Sequence, residues 1–168
     1  MAVNLADGTL FAGMYLIPIV AGVGAIAAGA PWFTIPFAAA GFLFGLEVAN
    51  VGRMVTYSSV GFGLRIAVRM NFLAGQVFFL PFFGLYIVLP YAFFGAGVAG
   101  AFFGAAWSAR YVTSYLSGWA EIAVGIFSSV ASVAAMVVLY KTTNGLASLI
   151  WDVNLPIPEL DDEQETVP

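Results

Sequence analysis

Long apolar runs, punctuated by short clusters of Pro, Gly, Trp and Arg, set the pattern of this chain. The first runs from about Thr9 to Gly29, long enough as a helix for a hydrocarbon core of roughly 30 Å. The segment before it has no Lys or Arg and contains Asp7, and the run exceeds the ~7–15 apolar residues of a secretory signal, so it reads as a retained span. Ala30-Pro31-Trp32-Phe33-Thr34-Ile35-Pro36 then interrupts helix twice, because proline cannot donate to the ladder and disfavours helix in the residue before it. A second span follows over 36–52, closed by Arg53.

From Met54 to Asn71 the pattern is mixed. Arg65 and Arg69 stand four apart and share a helical face, which fits an interfacial helix or an extension of the next span. Phe72 to Trp107 holds no charge, a length that fits two spans joined by a tight turn at Pro90. Arg110 closes the fourth span, and a fifth over 119–140 ends at Lys141. The expected architecture is therefore an all-α transmembrane bundle of five spans over residues 1–141, at 9–29, 36–52, 68–89, 91–109 and 119–140. Residues 142–168 form an interfacial turn near Gly145–Trp151 and an acidic, Pro-containing tail.

Composition agrees with lipid as the solvent. The 168 residues are 62% hydrophobic and 8% charged, with mean hydropathy +0.98, against about 25% charged in a soluble domain. There is no cysteine and no histidine, which removes thiolate chemistry, disulfides, imidazole bases and axial ligands for haem. The net charge of −4 comes largely from Glu159, Asp161, Asp162, Glu163 and Glu165. Four arginines and Lys141 supply no basic surface for nucleic acid.

Self-comparison gives one match. Arg53 to Phe62 aligns without gaps on Arg110 to Trp119, an offset of 57 residues. A duplication of a two-helix unit predicts that the second and fourth spans run the same way, as a parallel repeat. Under the five-span reading Arg53, Arg65, Arg69 and Arg110 fall on one side and Lys141 on the other, with Arg65, Arg69, Arg110 and Lys141 as membrane-surface anchors. The positive-inside rule then puts the N-terminus in the cytoplasm and the C-terminus outside.

Glu47 is the residue most in need of explanation, because an ionised carboxylate within hydrocarbon costs at least ~2.5–3.5 kcal/mol. With Asn50 and Arg53 it forms a polar stripe along the second span, read either as an ion or proton site or as a polar packing pair near the interface. Glu121 suits the first turn of a helix, where free amides and the dipole favour an anion. The spacings Gly41/Gly45 and Gly100/Gly104 permit close helix approach. Thr56-Tyr57-Ser58-Ser59 lacks a neighbouring base for nucleophilic catalysis.

No catalytic, metal or cofactor constellation emerges. The expected role is a non-enzymatic structural or assembly subunit of a larger membrane complex or membrane-containing particle, its partners being the bilayer and other membrane subunits or further copies of itself. The alternative is a small oligomeric channel or transporter using Glu47, Asn50 and Arg53. In the tail, Pro156, Pro158, Asp161, Asp162 and Glu163 are the candidate docking residues for a basic or groove-bearing partner.

Overall fold

The computed structural model describes residues 5–70 and 72–151. Among them the chain is all helix and turn: α1 (Leu5–Ala27), a 3-10 turn (Pro31–Phe33), α2 (Thr34–Ala67), α3 (Phe72–Tyr115) and α4 (Trp119–Trp151). All four α-helices are long and apolar enough to cross a membrane. The tail residues from Asp152, including Pro156, Pro158, Asp161, Asp162 and Glu163, lie outside the described residues. The chain forms two compact units, one up to Val133 and one from Ala134 onward, the latter holding the remainder of α4.

The first turn explains itself from its residues. Gly29 adopts φ +82°, a left-handed conformation that costs glycine little. The Ala30 amide donates to the Ala25 carbonyl at 3.0 Å and the Gly29 amide to Ile26 at 2.9 Å, so the last carbonyls of α1 are satisfied as in a Schellman cap. Pro31 then opens the 3-10 turn, where its missing amide costs nothing.

This turn folds α2 back antiparallel to α1. Gly41 lies against Ala21 and Pro18, Gly45 against Met14, and Gly52 against Leu10, which places one helix backbone almost on the other. The upper part of α3 lays itself into the pair, parallel to α1. Gly24 is so close that a Cβ there would stand 2.6 Å from the Phe102 carbonyl oxygen, and Gly13 meets Phe94. Two buried clusters result, Ile17, Ala21, Ala101 and Ala105 below Ala25, Ala30, Phe33 and Ala109.

α2 and α3 both outrun α1. α1 begins at Leu5, whereas α2 continues ten residues past Tyr57 to Ala67 and α3 starts at Phe72. Among the described residues up to Val133 these lower parts pack on each other, with Phe82 beside Gly63 and Gly75 beside the Ala67 carbonyl, and make a two-helix arm. At the other end α4 leaves α3 through Gly118 at φ +60°. It meets the bundle at Trp32, where Ser129 Oγ donates to the Trp32 carbonyl at 3.5 Å and Gly125 faces the Trp32 Cβ.

Several expectations are corrected. Pro90 is no turn: α3 runs through Pro81 and Pro90 unbroken over 44 residues, so four long helices stand where five spans were expected. Arg53 does not close a helix, since α2 passes through it to Ala67, and 54–67 extends the preceding helix in place of the following one. Arg69 falls in the turn after α2, so it does not continue the helical face of Arg65. The stretch 145–151 is the end of α4.

The matched segments also differ. Residues 53–62 are interior helix, whereas 110–119 crosses the end of α3, a turn and the start of α4. Arg53 sits beside Asp7 at the start of α1, and Arg110 beside Ala27 at its end. The two arginines therefore stand at opposite ends of the bundle, which a parallel repeat does not allow.

Candidate functional site

The most polar spot of the bundle lies where α1 begins. Asp7, in the first turn of α1, is favoured there by the free amides and the positive dipole end. Its Oδ1 stands 3.0 Å from Arg53 Nε, and its Oδ2 accepts a hydrogen bond from the Tyr57 hydroxyl at 3.0 Å. Arg53 and Tyr57 are four apart on α2, so one helical face presents both to the same carboxylate. From α3, the Tyr86 ring meets Tyr57 edge-on at 6.4 Å and stacks with Phe83.

The arrangement ties three helices together at one level. The side chains of Arg53 and Asp7 remain 57% and 38% exposed, so in contact with water the ion pair contributes only about 0–1 kcal/mol. Its use is in register: it fixes how far α2 slides along α1. Just beneath Tyr57, Thr56 is wholly buried and its hydroxyl has no hydrogen-bond partner among the described residues.

Asn50 and Arg53 share a lateral groove of about 320 Å³ between α1 and α2, lined also by Asp7, Leu10, Phe11, Met14 and Leu46. Glu47 is not in it. On α2 the buried stripe is Gly41, Gly45, Ala49, Gly52, Thr56 and Gly63, and Glu47 stands on the opposite, exposed face. Of the expected stripe, Arg53 turns to Asp7, while Asn50, at the outer edge of the groove, stays exposed one turn from Glu47 on the outward side of α2.

The remaining candidates are dispersed. Arg65 and Arg69 are exposed at the tip of the arm, Arg110 is exposed beside the α1–α2 turn, and Lys141 is exposed on α4. Glu121 occupies the first turn of α4, where its charge suits the helix end. Among the described residues no group of three or more acidic, His or Cys side chains converges to hold a metal ion. Asp7 and Tyr57 escaped the sequence analysis because 50 residues separate them; Asp7 in a helix-starting turn was the one visible signal.

No known protein family, curated protein or solved structure matches this chain.

Proposed function

We propose that the chain is a non-enzymatic structural or assembly subunit of a larger membrane complex or membrane-containing particle. The observation that carries this reading is the arm. At 1.5 Å per residue α3 is about 66 Å long, against a hydrocarbon core of about 30 Å and a whole bilayer of about 40–45 Å. Seated with its three-helix part in the core, the molecule holds the arm beyond it. There Phe62, Val77, Leu80 and Phe83 are all more than half exposed. Apolar surface of that extent outside lipid asks for a protein cover.

The channel alternative needs Glu47, Asn50 and Arg53 to line one path, and the engagement of Arg53 with Asp7, away from the outward-facing Glu47 and Asn50, speaks against it. For orientation, the end bearing Arg53, Arg65 and Arg69 is placed in the cytoplasm with the start of α1, leaving Arg110 at the opposite surface.

Extraction into native nanodiscs followed by mass measurement tests the proposal. The expected result is a stable particle heavier than one 17.7 kDa chain, whether from further copies or from partners. A solitary chain that passes protons or ions, with the flux abolished by Glu47→Gln, overturns it in favour of the channel.

A further inference from the structure

Along α2, Ala40, Leu43, Glu47, Asn50 and Met54 are spaced alternately by three and four residues, and every one is exposed. This is the a/d spacing of a helix-pairing seam, and it lies opposite the glycine stripe that α2 already uses against α1. The seam is apolar at both ends, with Leu43 45% and Met54 63% exposed, and carries one acid and one amide at its centre.

The depth of that pair matters. Gly45 is level with Met14 of α1 and Arg53 with Asp7, so Glu47 lies about 9 Å along the helix from Arg53, inside the level of the ion pair. Among the described residues up to Val133 no salt bridge reaches it: Arg53 is held by Asp7, Arg65 and Arg69 are on the arm, and Arg110 is at the far end. A carboxyl on the lipid side at this depth is costly until another group binds it.

We propose that this face of α2 pairs with the same face of a second copy of this chain. The inference rests on the assembly reading and names its partner. The face is self-complementary, as a two-fold contact requires: Asn50 of each copy donates its amide to the Glu47 carboxyl of the other, and the reverse pair forms by symmetry. A polar residue at a seam position fixes register and oligomeric state, and within lipid such hydrogen bonds drive association where apolar contact alone does not. Beside the seam, a shallow groove lined by Ala40, Phe44, Gly100 and Gly104 leaves room for an approaching helix, since nothing stands within 4 Å of a Cβ built on Gly104.

The absence of cysteine from the chain makes the test direct. Single variants Leu43→Cys and Met54→Cys are oxidised in native membranes beside Ile19→Cys, which is 62% exposed on α1 and serves as the control. Disulfide-linked dimers of this chain are expected at the two α2 positions and not at Ile19. Adding Glu47→Gln, which still donates and accepts, should preserve the cross-link, while Glu47→Leu should lower its yield about three- to thirty-fold. Equal cross-linking at Ile19, an unchanged yield with Glu47→Leu, or a cross-link to a different protein overturns the inference. If α2 fails to cross-link while the nanodisc particle stays heavier than one chain, only this inference falls; a solitary chain removes the assembly reading as well.

Discussion

Single atoms decide how closely these helices approach. A methyl group on Gly24 would fall 2.6 Å from the Phe102 carbonyl oxygen, which belongs to backbone and cannot step aside, whereas a methyl on Gly95 meets nothing within 4 Å. Gly24→Ala should therefore cost about 1–3 kcal/mol through overpacking. Gly95→Ala should be neutral or stabilise by up to about 1 kcal/mol through helix propensity. Unfolding by SDS titration in mixed micelles compares the two. Equal effects would mean that α3 does not sit in the α1–α2 groove as described. The same scale shows what reading the chain alone recovers. Glu47 and Asn50 stand out by polarity, but nothing local announces that Arg53 belongs to Asp7. A carboxylate 46 positions earlier becomes its partner only once Gly41, Gly45 and Gly52 have set the α1–α2 register.

Helices, at the next scale, were legible where the residues force their ends and illegible where lipid removes the need for an end. Gly29, Pro31 and Pro36 mark the first turn, and the structure turns there. Pro90 carries the same local penalty, yet α3 passes through it, and Pro90 is among the most fully buried side chains. A kink forfeits one hydrogen bond, whereas a turn at that point, flanked by Leu89 and Tyr91, would leave several backbone groups in hydrocarbon without polar side chains to satisfy them, at several kcal/mol each. Periodicity gives no help, because a helix surrounded by lipid is apolar on every face. The continuous helix makes a sharp prediction. Gln76→Cys and Ser114→Cys, both at exposed positions on α3, should react with an impermeant thiol reagent from opposite sides of the membrane. Labelling from the same side would restore the hairpin at Pro90.

Taken whole, the molecule keeps few of its large apolar side chains to itself. The three-helix part matches a bilayer, but the arm formed by the end of α2 and the start of α3 does not, and its Val77 and Leu80 are 69% and 65% exposed. If a partner covers the arm, a charge introduced there acts on assembly and leaves the bundle alone. Leu80→Arg should reduce the nanodisc particle mass toward that of one chain while circular dichroism retains its helical signal. Full retention of the particle would show that the arm is not the covered surface. Substitution at Leu80 thus separates the arm from the α2 seam, whose effect is read at Glu47.

The cap at the end of α1 bears on how the chain enters a membrane during synthesis. Ala28, Gly29 and Ala30 are all that separates α1 from the 3-10 turn, and the reversal satisfies its own carbonyls through the Ala30 and Gly29 amides. No charge lies between Asp7 and Glu47, so carrying this bend across the hydrocarbon avoids the roughly 2.5–3.5 kcal/mol that each lysine, arginine or aspartate at the centre would add. With the start of α1 on the cytoplasmic side, as proposed above, the two helices can cross as a closed pair, and the translocation machinery has no hydrophilic loop to thread between them.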